Sequence, residues 1–129
     1  MANLDIAILA LRAKRADAKG RAPVYLGLPD TLRTSCQKAI IGTGSNMAYL
    51  LKNAIPAYLE DGIDAEVLRA WDKQKGVGNP IVTSIPYEML VKCTEIQKRE
   101  GVTLVAVLRA ALGHMFGVAP AVMEMQEDL

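Results

Sequence analysis

Cysteine, histidine and aromatic residues are scarce in this chain: its 129 residues include two cysteines, one histidine, one tryptophan, one phenylalanine and four tyrosines. A lone histidine, His114, with no paired CxxC or HxxxH spacing, gives no sign of a metal site, and none is expected. Cys36 and Cys93 are expected to be buried free thiols, because a chain without secretory features is not expected to hold a disulfide. No apolar run approaches the ~18 residues of a membrane span, and the charge-studded first residues do not read as a signal peptide, so a cytoplasmic protein is expected. Also missing are a nucleophile elbow, a phosphate loop and a carboxylate pair spaced for acid–base work; a non-enzyme without a cofactor is expected. Neither sign of charge dominates, since fifteen Lys and Arg face fourteen Asp and Glu. Their distribution is uneven: residues 1–60 carry a balance of +4 and residues 61–129 a balance of −3, which makes the amino-terminal half the expected contact for a polyanion.

What the chain does contain is an internal repeat. Residues 23–59 align without a gap on residues 80–116, an offset of 57. Pro23/Pro80, Pro29/Pro86, Cys36/Cys93, Gly44/Gly101, Leu51/Leu108 and Ala54/Ala111 are identical, and Val24/Ile81, Leu28/Ile85, Met47/Leu104 and Lys52/Arg109 are similar. Each copy is under 40 residues and too small to bury a core alone, so the two must share one.

Inside each copy the hydrophobic period changes. Val24, Leu26 and Leu28, and likewise Ile81, Thr83 and Ile85, alternate with other residues, the period of a strand with one buried face. Pro29 and Pro86 end these strands and open helices bearing Leu32, Cys36, Ala39 and Ile40, or Met89, Cys93 and Ile96, on their inward stripe. Gly44 and Gly101 stop those helices. Asn46 and Thr103 then cap a second helix in each copy, with a kink or loosened turn expected at Pro56 and Gly113. The organisation expected is one compact domain: a basic helix in residues 1–21 (from Leu4 to about Lys19), unit one in 22–60, a connector in 61–79 with a short helix from Asp64 to Lys75 that packs Trp71, unit two in 80–117, and a tail in 118–129 with a weak helix after Ala119.

Strand, proline, helix, glycine and capped helix in so short a unit resemble the ribbon-helix-helix superfamily of the MetJ/Arc type. VTSIPYEMLVKCTEIQKREGVTLVAVLRAAL in the second copy carries the likeness best, with VYLGLPDTLRTSCQKAIIGTGSNMAYLLKNAI beside it. Two units in one polypeptide are similar to the single-chain accessory proteins of conjugative plasmid and T-DNA transfer (TraY-like). The resemblance implies a mostly α fold with one two-stranded antiparallel ribbon, two fused ribbon-helix-helix units forming an intramolecular pseudo-dimer, and double-stranded DNA as the partner. It further implies processing of plasmid DNA at a transfer origin, with a relaxase or other transfer proteins as further partners and self-association along DNA; transcriptional repression is the alternative role.

On that reading the ribbon enters the major groove, and Tyr25, Gly27, Val82 and Ser84 face the bases. Tyr25 and Ser84 offer hydroxyls and Val82 an apolar contact for a thymine methyl, but no bidentate Arg or Asn is present, so modest sequence readout is expected. Asn46 with the amide of Met47, and Thr103 with the amide of Leu104, are the phosphate anchors that the family pattern implies, and Arg21 is a further phosphate contact. Helix capping alone accounts for Asn46 and Thr103 equally well. The competing class is a protein-interaction module that keeps the fold and uses the apolar ribbon face and basic first helix to hold a partner protein.

Overall fold

A computed structural model of the chain describes residues 20–120. The helices expected over residues 4–19 and beyond Ala119 lie outside those residues. Described in chain order are β1 (Arg21–Leu26), α1 (Asp30–Thr43), α2 (Met47–Asp61), α3 (Ala65–Asp72), β2 (Ile81–Pro86), α4 (Tyr87–Glu100) and α5 (Leu104–Phe116). The fold is mostly helical, with one two-stranded antiparallel sheet, and the order strand–helix–helix occurs twice around α3. None of these helices is long and apolar enough to cross a membrane.

β1 and β2 pair from Arg21 opposite Pro86 to Leu26 opposite Ile81. Tyr25 and Val82, which hold the same place in the two repeats, stand opposite each other. The ladder is lopsided around that pair. It continues from Pro23–Ser84 to Arg21–Pro86, while residues 27–29 and 78–80 at the other end stay unpaired. The alternation of Val24, Leu26 and Leu28 starts the first strand three residues too late and ends it two too late, because it registers burial and not pairing: Leu28 is fully buried but lies outside the strand. There the carbonyl of Leu28 instead accepts the amide of Val77 at 2.8 Å. The connector approaches so closely that a Cβ at Gly76 would lie 3.1 Å from the Cα of Gly27.

Beneath the ribbon, Ala22, Val24, Leu26 and Ile85 meet a core of Leu32 and Cys36 from α1, Leu50, Leu51, Ala54 and Ile55 from α2, Leu90 and Cys93 from α4, and Ala106, Val107, Leu108, Ala110, Ala111 and Leu112 from α5. Both cysteines are free and buried. Burial raises the Cys36 thiol to a pKa of about 11 and the Cys93 thiol to about 12, so both are protonated and inert at neutral pH. Gly44 and Gly101 end α1 and α4 in the left-handed conformation, at φ 67° in both, with an amide returned to Ile40 or Gln97.

The second helices run on past both expected breakers. α2 continues through Pro56 to Asp61, and α5 through Gly113 to Phe116. Gly113 serves packing instead: a Cβ there would stand 2.8 Å from the Val118 carbonyl oxygen and 2.9 Å from Cζ2 of Trp71. Helix propensity alone favours alanine over glycine by about 1 kcal/mol. Overpacking against a backbone oxygen and a buried indole outweighs that gain, so Gly113→Ala is expected to lower unfolding stability by about 1–2 kcal/mol, measured in urea. A stabilised variant would show that Trp71 does not sit on α5.

Candidate nucleic-acid interface

The outer face of the ribbon carries Arg21, Pro23 and Tyr25 from β1 and Val82, Ser84 and Pro86 from β2. Tyr25 and Val82, one pair from the end of the ladder, are each 65% exposed and leave an apolar step in solvent. Of the residues expected on this face, Tyr25, Val82 and Ser84 are there. Gly27 is not: it follows the end of β1, half-buried, with its carbonyl engaged by Arg109. Arg21, expected ahead of the strand, is the first residue of β1 and points outward.

The second helices begin at the two ends of the ribbon, and the ends differ. At the α2 end, the Asn46 side chain accepts the Tyr49 amide at 2.9 Å. The amides of Met47 and Ala48 belong to the first turn and have no carbonyl within the helix to reach. Arg21, Asn46, Tyr49, Lys52, Ser84 and Pro86 line one cleft here, so two cations, two hydroxyl-bearing residues and the positive end of a helix converge.

At the α5 end, Thr103 caps through its hydroxyl, which accepts the Ala106 amide at 3.2 Å. A carboxylate already occupies its other side. Oδ1 of Asp72 accepts the Thr103 hydroxyl at 2.7 Å and the Thr103 amide at 3.1 Å. Leu104, half-buried, borders a separate hollow with Pro23 and Tyr25. Arg109, the counterpart of Lys52 in the repeat, turns inward and is only 6% exposed. Its Nε donates to the Gly27 carbonyl at 2.7 Å, and its Nη1 donates to the carbonyls of Trp71 and Gln74, both at 2.9 Å. Burial lowers its pKa, with Asp72 nearby opposing the shift; a guanidinium keeps its charge all the same.

No family model, curated protein or solved structure matches the chain. The two ends therefore stand on their own chemistry. One can accept an anion at the surface, and the other has drawn a carboxylate and a cation into the fold. Among the described residues no group of three His, Cys, Asp or Glu is placed to hold a metal ion. Lys52 was missed as a member of the site, although its register with Arg109 in the repeat was visible in the sequence. Asp72 was missed because nothing local to the connector marks it as the partner of a residue 31 positions away.

Proposed function

We propose that this chain is a single-chain ribbon-helix-helix DNA-binding protein, in which the two units form an intramolecular pseudo-dimer and the shared ribbon docks in the major groove of double-stranded DNA. The observation that carries the reading is the outward ribbon face bearing Tyr25 and Val82 beside the α2 cleft with Arg21, Asn46, Lys52 and Ser84. A two-stranded ribbon has the width of the major groove, and a helix N-terminus with nearby cations suits the phosphate at its edge. Base contacts are Val82, Tyr25 and Ser84, with Asn46, the Met47 amide, Lys52 and Arg21 on the backbone. By architecture the role is that of an accessory factor in plasmid DNA transfer, with a relaxase as a further partner; repression of transcription is the alternative.

Binding should weaken with salt as phosphates are neutralised, log K falling by about 0.9 per phosphate for each unit of log salt. Lys52→Ala is expected to flatten that slope by about 0.9 and to weaken binding alike on all sequences, while leaving unfolding stability within about 0.5 kcal/mol because Lys52 is exposed. Equilibrium titration of both proteins with one labelled duplex over a salt series measures it. An unchanged slope would remove Lys52 from the interface.

The protein-interaction reading draws on the same face, since Tyr25 and Val82 with Pro23 and Pro86 form an apolar surface. Capture of a protein partner that Tyr25→Ala abolishes, from a chain that does not bind duplex, would favour it.

A further inference from the structure

We infer that Asp72 is a built-in substitute for a DNA phosphate: its carboxylate fills the seat at the α5 N-terminus, so this protein grips the DNA backbone on one flank of the ribbon only, at the α2 end. The inference rests on the DNA-binding reading above and adds which flank is held and what closes the other.

Two polar residues of the α2 cleft, Asn46 and Lys52, have counterparts 57 positions on, and both counterparts are engaged within the fold. Asn46 corresponds to Thr103, whose amide and hydroxyl both donate to Asp72. Lys52 corresponds to Arg109, which spends its guanidinium on three carbonyls inside the fold. The Thr103 hydroxyl and the Arg109 cation are thus withdrawn from the second flank by separate contacts. A carboxylate on a helix N-cap presents the same charge and the same acceptor oxygens as a phosphate, and it repels a phosphate brought to the same place.

Asp72 also cannot drift away from Thr103. It is the last residue of α3, directly after Trp71, which is 1% exposed, and the carbonyls of Trp71 and Gln74 on either side of it are held by Arg109. The substitute anion is therefore fixed by the core. The geometry makes the DNA site asymmetric, which a fused pair of unlike units allows and an identical dimer does not.

The test uses duplexes with a single methylphosphonate, which removes one phosphate charge, placed in turn along both flanks of the bound site. With the unaltered chain, affinity should drop on one flank only. With Asp72→Ala, the other flank should become sensitive as well, and the salt slope should steepen by about 0.9, so that about 3.5-fold more affinity is lost between 50 and 200 mM salt. Asp72→Asn keeps an acceptor for Thr103 while removing the charge, and should steepen the slope even if the alanine variant folds poorly. Glu66→Gln removes an equal charge from the exposed start of α3 and should leave slope and flank pattern unchanged. The inference is overturned if the unaltered chain is sensitive on both flanks, or if neither Asp72 variant alters the pattern or slope. If the unaltered chain shows no salt-dependent duplex binding, the DNA-binding reading itself falls.

Discussion

Trp71→Ala is expected to cost about 3–5 kcal/mol of unfolding stability, the range for emptying a fully buried aromatic site. The ring is 1% exposed and lies against the backbone of α5 at Gly113, so its removal empties a buried site beneath that helix. The loss also propagates, because the Trp71 carbonyl is one of the three acceptors of Arg109, and a loosened α3 leaves a buried guanidinium short of partners. In a chain of this size the midpoint of thermal unfolding should fall by about 10–20 °C. Thermal and urea denaturation measure it directly. A loss below about 1 kcal/mol would mean that α3 is an appendage and not part of the core, and the fixed position of Asp72 would go with it.

Val82→Asp is expected to weaken duplex binding about 100-fold with little change in stability. Val82 is 65% exposed, so the fold loses only a small strand preference, within about 0.5 kcal/mol. On DNA the cost is larger. A carboxylate on the outer face of a ribbon in the major groove meets acceptor-rich base edges and the field of both backbones, a like-charge juxtaposition worth about 3 kcal/mol, or two decades of affinity. Titration beside a urea melt separates the two effects. Equal binding by the variant would place DNA somewhere other than this face.

Much of this arrangement was readable from pattern. The repeat offset placed Tyr25 and Val82 in matching positions, and the structure sets them face to face. Pro29, Pro86, Gly44, Gly101, Asn46 and Thr103 mark the helix ends as local backbone chemistry requires, because capping and breaking act within one turn of chain. Long-range contacts were not readable. Gly113 looked like a helix breaker until Trp71 was seen against it, and Gly27 looked like an outward ribbon residue until the connector and Arg109 closed over it. The repeat suggests two equal ends, and the connector, which has no counterpart, makes them unequal. That inequality could not be read from a motif shared by both copies.

The most direct test of the account is an equilibrium titration of the full chain against duplexes selected from a random pool, repeated from 50 to 200 mM salt. The account predicts that log K falls linearly with log salt, by about 0.9 for each phosphate held, and that the selected site is not palindromic. A flat response to salt, or no binding to any duplex, would contradict it.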